Sequence, residues 1–387
     1  MKSMNWKSTV MALTACTVLF TACEPDDPTP GGIDNGVTDG TTLSGIVTSD
    51  VTLKAGNTYK LSGEYVVEAG ATLTIEEGVK IVSIYDDIVD YILIKQGACI
   101  NAVGTAERPI VMTSEKEEAG AWGGIHICGF AHTNAEGGKG CSEIGGAEYG
   151  GDNDADNSGM LRYVRVEYTG YAFDEEHEAN GITFYGVGDG TTIEYCEAYK
   201  GSDDGFEFFG GSVNVTGLVA VNCSDDSFDW TEGWNGHGTD LVAYQENEAT
   251  LGYDCDCLIE ADNNENNHSA TPISHPVLKN IVLVGNGGSK QGVRLRRGTQ
   301  VSITDAIICG KEKPLAVEST ETENALKDGK STLKGVKISA AFSSKEGIYT
   351  EEDFLADESN SVDTELHKEE FENIKASNTW MAGSWTK

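Results

Sequence analysis

The sequence predicts an all-β fold: a single right-handed parallel β-helix, built of short strands stacked coil upon coil. Three observations predict it. The phrase Asp203-Asp204-Gly205-Phe206-Glu207 returns 22 residues later as Asp225-Asp226-Ser227-Phe228-Asp229, and a period of twenty-odd residues is the mark of a stacked repeat. A second phrase, apolar-x-x-apolar-x-apolar, recurs at 161–166, 193–198, 215–220, 278–283, 303–308 and 333–338. Its last part alternates with period two, as a strand with one buried face does. Glycine is abundant, 47 of 387 residues against 7 prolines, and supplies positive-φ corners between strands. The handedness follows from the chirality of parallel connections. A β-sandwich would leave the in-phase return of the acidic phrase without a reason.

The elements follow in order. Lys2 and Lys7 make a basic start, and 10–22 is a weakly apolar run too short to span a bilayer. Residues 1–22 therefore read as a signal peptide. The run ends in Leu19-Phe20-Thr21-Ala22-Cys23, which resembles a bacterial lipobox, and that resemblance implies lipidation of Cys23. Leu13-Thr14-Ala15-Cys16 matches the same pattern, but cleavage there leaves only a stub of apolar sequence upstream. Glu24-Pro25-Asp26-Asp27 resembles the surface-export signal of Bacteroidota lipoproteins. Residues 23–42 then form a lipidated flexible tether. The β-helix is expected over 43–345, with 43–84 as first coil and N-terminal β cap. A C-terminal cap is expected over 346–387, with short helices at 351–356 (Thr350 as N-cap) and 365–374. Caps protect the end strands of a solenoid. Acyl chains without another apolar span anchor a chain rather than thread it through the membrane. The expected location is the outer membrane, facing the cell exterior.

Charge narrows the partners. With 27 basic and 63 acidic residues the net charge is −36, which excludes nucleic acid and anionic membrane surfaces. A polyanionic glycan would need a bridging divalent cation. Cys196 falls on a buried repeat position and reads as a small core residue. In an exported chain a Cys128–Cys141 disulfide could pin the long insertion between coils. Cys255-Asp256-Cys257 lacks the second ligand pair of a zinc site.

The repeats also define a surface. Ile182, Phe206, Phe228, Ile259 and Val293 align as inward residues, as do Phe184, Phe208, Trp230, Ala261 and Leu295. The residues between them face outward. That column reads Thr183, Glu207, Asp229, Glu260, Arg294, and the next reads Tyr185, Phe209, Thr231, Asp262, Arg296. Coils lie about 4.8 Å apart, where two unit charges repel by roughly 3.5 kcal/mol at an effective dielectric of 20. Such a column needs a compensator: a cation such as Ca²⁺, a shared proton, Arg294, or a ligand. The expected binding site is thus Glu207, Asp229, Glu260, Arg294 and Arg296, with Phe209 and Trp234 as a stacking wall. The competing reading is a solvated acidic face.

A second Ca²⁺ candidate is Asp152, Asp154, Asp156 and Ser158, whose oxygens alternate as in the first half of an EF-hand loop. Asn157 and Tyr163 stand where that loop needs Gly and Glu. The competing reading is an Asx-rich turn. Gly329-Lys330-Ser331-Thr332 lacks the first glycine of a P-loop, and no His pairing or Gly-x-Ser-x-Gly elbow occurs.

Several segments together carry a family resemblance: Trp122-Gly123-Gly124, Asp156-Asn157-Ser158-Gly159, the 161–168 strand, both acidic phrases and Arg296-Arg297-Gly298-Thr299. They resemble the β-helix lipoproteins of Bacteroidota over about 43–310. The resemblance implies a pectate-lyase-like right-handed β-helix at the cell surface and no established activity. Three functions compete. One is a non-catalytic binder that captures a glycan or other nutrient for an outer-membrane transporter. The second is a Ca²⁺-dependent polysaccharide lyase or a glycoside hydrolase, with Glu207, Asp229 and Arg294 as the catalytic candidates. In the lyase the acids would hold Ca²⁺ and Arg294 would abstract the proton. The third is a structural or adhesive module. A monomer is expected.

Overall fold

The computed structural model describes residues 37–86, 88–172 and 178–387. The signal peptide, Cys23, Cys16 and the first part of the tether lie outside these residues. Among the described residues no helix is long and apolar enough to cross a membrane.

The chain winds into one 24-stranded sheet in which every strand pairing is parallel. A small antiparallel hairpin, Gly140–Cys141 with Glu148–Tyr149, stands apart. The all-β parallel solenoid is as expected from the repeats. Each regular coil contributes a long strand and a short one, such as Thr192–Tyr199 and Phe206–Phe209. Long strands pair with long strands and short with short, coil after coil.

The apolar-x-x-apolar-x-apolar phrase has a backbone cause. Its third residue takes a left-handed conformation in every coil: Tyr163, Tyr195, Gly217, Asp240, Asn280, Asp305 and Gly335 all have φ between 52° and 69°. The ladder skips this residue, so Arg162 pairs with Glu194 and Val164 with Cys196. One left-handed residue bends the long strand and restores the inward direction after three positions instead of two. A coil unread in the sequence, His237–Tyr244, obeys the same register: Gly238 lies opposite Val215 and Leu241 opposite Leu218. Glycine replaces the leading apolar residue there, which hides the phrase.

Inside, the two inward columns form one continuous core, and all ten of the aligned residues are buried in it. Aromatic rings stack along the axis: Phe206 on Phe228 at 5.6 Å and Phe184 on Phe208 at 5.0 Å. These contacts convert the repeat into packing energy, because like rings at coil spacing meet in offset stacks.

Residues 43–84 begin the stack as the first coils, and Thr72–Ile75 and Lys80–Ser83 continue in register into Cys99–Val103 and Ile110–Ser114. At the other end the stack runs past 345. Ser343–Ser344 and Ser361–Val362 add parallel pairings on Ala316–Val317 and Lys337–Ile338; two-residue strands leave no periodic signal. Helix Glu351–Leu355 has its Thr350–Asp353 capping box and buries Phe354 against Phe342. An unforeseen helix, Thr320–Lys327, buries Ala325 and Leu326.

The last residues form a strap and not an end cap. Helix Phe371–Ser377 shares 371–374 with the expected 365–374 but starts six residues later and ends three residues later. Phe371, Ile374, Met381 and Trp385 cover outward Val219, Val221, Val242, Tyr244, Val284 and Cys309. Ser384 N–H reaches the Ala106 carbonyl at 2.7 Å, and Arg165 Nη1 donates to the Ser384 and Trp385 carbonyls. Fully burying a tryptophan removes roughly 150–250 Å² from water, on the order of 4–6 kcal/mol at ~25 cal/mol per Å².

Candidate functional site

The short strands present one outward column. Register places Leu93, His126, Thr183, Glu207, Asp229, Glu260 and Arg294 side by side, in that order, with Ala316 beyond. The expected acidic column is therefore brought together, but it is not an open face. Glu207 is 9 % exposed, and Asp229 Oδ1 is enclosed with no hydrogen-bond partner.

The cover comes from the insertion between Ile125–Cys128 and Gly159–Glu167. Ile144, Ala147 and Tyr149 pack on outward Tyr91, Leu93, Cys128 and Tyr185. Tyr149 OH donates to Glu232 at 2.8 Å, and Tyr185 OH to Glu143 at 3.2 Å. Tyr185 and Phe209 stack at 4.8 Å beside the acids. Phe209 thus stands at the edge of the site. Trp234 does not: it is buried in the core, stacked on Phe208 at 4.1 Å, with its indole N–H on the Val213 carbonyl. The chain turns inward at Gly233, φ +94°, which no alternation rule anticipates. Cys128 and Cys141 are free thiols, one buried and one exposed, so the insertion is held by packing and not by that disulfide.

Two Asp pairs from the acidic phrases join the column. Asp204 Oδ1 accepts from Asp226 N–H at 2.8 Å, and Asp226 Oδ1 accepts from Cys257 N–H at 2.6 Å. Each second Asp thus ties its coil to the next. The sequence reading passed over Asp203, Asp204, Asp225 and Asp226 as site residues, although the repeated phrase contains them. Carboxylate oxygens of Asp204, Glu207 and Asp229 lie within 4.8 Å of one another, as do those of Asp226, Asp229 and Glu260, and of Glu178, Asp203 and Asp225.

Charge is unevenly balanced. Arg294 pairs with Glu260 at 3.0 Å and Glu318 at 3.2 Å. Arg296 pairs with Glu260 and with Asp262 at 2.8 Å, and Arg297 with Asp262 and Glu265. Among the described residues no ion pair reaches Asp203, Asp204, Glu207, Asp225, Asp226 or Asp229. Burial, then neighbouring carboxylates, pushes Asp204, Glu207, Asp226 and Asp229 well above the ordinary carboxylate range. The same causes raise Asp203 to about 8. Glu207 keeps one polar partner, Asn180 Nδ2 at 2.5 Å. Burial alone would lower the Arg294 pKa; its bonds to Glu318 and Glu260 outweigh that and raise it.

The donor set is all-oxygen, clustered and short of positive charge, which suits a hard cation such as Ca²⁺. The thiol of Cys257, near Asp226 and Asp256, is raised by burial and these carboxylates, so it is a poor ligand. The 152–158 segment does not converge. Asp154 Oδ1 accepts from His132 N–H and pairs with His132 Nδ1 at 2.6 Å. Asp156 Oδ2 accepts from Phe130 N–H and Ser158 Oγ. These carboxyl groups fasten the two ends of the insertion together across more than twenty residues of chain.

His126 is a site neighbour that the sequence reading missed. It is fully buried, stacked near Tyr185, with Nε2 on the Gly123 carbonyl and Nδ1 unpartnered; burial lowers its pKa to about 4. The signal was present: Gly124-Ile125-His126-Ile127 aligns with Gly181-Ile182-Thr183-Phe184 and Gly205-Phe206-Glu207-Phe208.

A family model described as a pectate-lyase like beta helix domain matches residues 45–387. No curated protein and no solved structure matches the chain.

Proposed function

We propose that this chain, which belongs to the pectate-lyase-like beta-helix family, is a non-catalytic ligand-binding protein. It is anchored through Cys23 to the outer membrane, faces the exterior and works with an outer-membrane transporter. Its ligand is a glycan or similar nutrient, held through divalent cations, Ca²⁺ first, on the column Glu207, Asp229 and Glu260. Asp204 and Asp226 complete the cation sites, and Phe209 borders them.

One observation carries this reading. Six carboxyl groups are crowded together and, among the described residues, none of them is in an ion pair; one presents a buried, unpartnered oxygen, Asp229 Oδ1. A cation would satisfy that oxygen and relieve repulsion that water cannot screen there. The lyase alternative is weaker on this geometry. Arg294 is gripped by Glu260 and Glu318 and held protonated, so it is no base.

The test is a glycan array probed with Ca²⁺ and with EDTA, alongside ultraviolet detection of unsaturated products from uronate polymers. Ca²⁺-dependent binding that Glu207→Gln abolishes, with no product formed, supports the binder. Product formation lost in Arg294→Lys would overturn it in favour of the lyase.

A further inference from the structure

Away from the carboxylate face, a second group of side chains meets between two successive coils. Asn286 follows the strand Val277–Val284, and Lys311 follows Ser302–Cys309. These strands run parallel with Val284 opposite Cys309, which brings the two side chains alongside. The Lys311 stem lies across Gly285, where a Cβ would stand 2.6 Å from Lys311 Cγ. Lys311 is 4 % exposed and Asn286 6 %.

The polar atoms are aligned for a reaction. Lys311 Nζ donates to Asn286 Oδ1 at 2.7 Å and to the Cys255 carbonyl at 2.8 Å. Asn286 Nδ2 donates to Asp254 Oδ1 at 2.6 Å. The Gly288 N–H also points at Asn286 Oδ1, at 3.0 Å. Among the described residues no carboxylate pairs with Lys311. Its partners are neutral oxygens in a desolvated place, and burial lowers its pKa, so the nucleophilic uncharged amine is favoured.

We propose that Lys311 and Asn286 are joined by an intramolecular isopeptide bond, formed by the chain itself with Asp254 as the proton relay. The lone pair of Nζ attacks Cγ of Asn286, and the carbonyl π pair moves onto Oδ1, where the Lys311 and Gly288 N–H groups stabilise it. Nζ loses a proton to Asp254, which passes it to Nδ2. The Oδ1 pair re-forms the carbonyl as the Cγ–Nδ2 bond breaks, and ammonia leaves past Asp254, which is exposed. An amine and a primary amide become a secondary amide and ammonia, so no oxidant or co-reactant enters. The product is a neutral secondary amide that ties two neighbouring coils covalently.

Peptide mapping of the denatured, digested full chain by tandem mass spectrometry tests this. The expected result is one peptide pair joined through Lys311 and Asn286, lighter than the two peptides together by one ammonia. The link should be missing in Lys311→Arg, which keeps stem and charge, and in Asp254→Ala. Separate wild-type peptides of unmodified mass, even after long incubation at mildly alkaline pH, overturn the proposal. So does ammonia loss confined to the Asn286 peptide, which would be ring closure onto the Gly287 amide. A link that survives in Asp254→Ala removes Asp254 from the reaction.

Discussion

Asp229 lies directly opposite Glu207 on the next coil, and its Oδ1 has no hydrogen-bond partner. Two acids that face each other so closely in a shielded place destabilise the sheet that holds them. Their presence in an otherwise well-packed stack makes the pair the focus for perturbation.

Replacing one charge should separate stability from binding. Asp229→Asn is expected to stabilise the EDTA-treated protein by about 1–3 kcal/mol in urea unfolding at pH 8, since the repulsion disappears. It should also shrink the Ca²⁺-induced rise in midpoint, which for an intact site reaches about 2.7 kcal/mol at a hundredfold excess over Kd. A variant less stable than wild type in EDTA would argue that Asp229 is paired in solution.

The pH response has a definite sign. Folding raises Asp203 and Glu197 to about 8, chiefly through burial. The native state then binds more protons than the unfolded chain between about pH 4 and about pH 8. Their stabilising contribution is whole below about pH 4 and is lost as the pH rises through about 8. The Tm of the cation-free protein should fall across this window. Ca²⁺ added at the alkaline end should restore it and release protons. A Tm that climbs over the same range contradicts the raised pKa values.

Trp234 separates core from site. Trp234→Ala should cost about 3–5 kcal/mol, as other large core truncations do, because the ring fills the space beside Phe208 and Trp230. Under conditions where the variant remains folded, Ca²⁺ affinity should be unchanged. Fluorescence-monitored Ca²⁺ titration of Trp234→Phe checks this with a milder change, and a large loss of affinity would return Trp234 to the site.

The left-handed column predicts opposite outcomes at equivalent positions. Asn280→Gly should be nearly neutral or stabilising, since glycine accepts φ 58° without strain. Gly217→Val should cost upwards of about 1–2 kcal/mol from the conformation alone. A Cβ there would also stand 2.6 Å from the Tyr195 ring. Thermal unfolding of both variants decides it.

Much of this architecture was legible because period and register are local properties. The alignment of Phe206 with Phe228 and of Glu207 with Asp229 followed from the repeated phrase, and both hold in the ladder. What was not legible depended on contacts between distant segments. The insertion that encloses Glu207, the strap bearing Trp385 and the inward swing of Trp234 each depend on a partner far along the chain. His126 and the 237–244 coil were missed for a local reason: a histidine or a glycine stands where a more familiar residue would have marked the repeat. Asp154 and Asp156 bond to Phe130 and His132, more than twenty residues away, and spacing along the chain carries no trace of such partners.

The strap has a consequence for how the molecule comes apart. In a plain solenoid each coil touches only its neighbours, so end coils can peel away one at a time. Here the backbone N–H of Lys387 reaches Glu197, and Ser384 reaches Ala106, so coils far apart share one fastening. Loosening any coil beneath it costs the contacts of all. The stack should therefore melt as a unit, and during synthesis the hydrophobic flank of its middle coils stays bare until residues 371–385 have emerged.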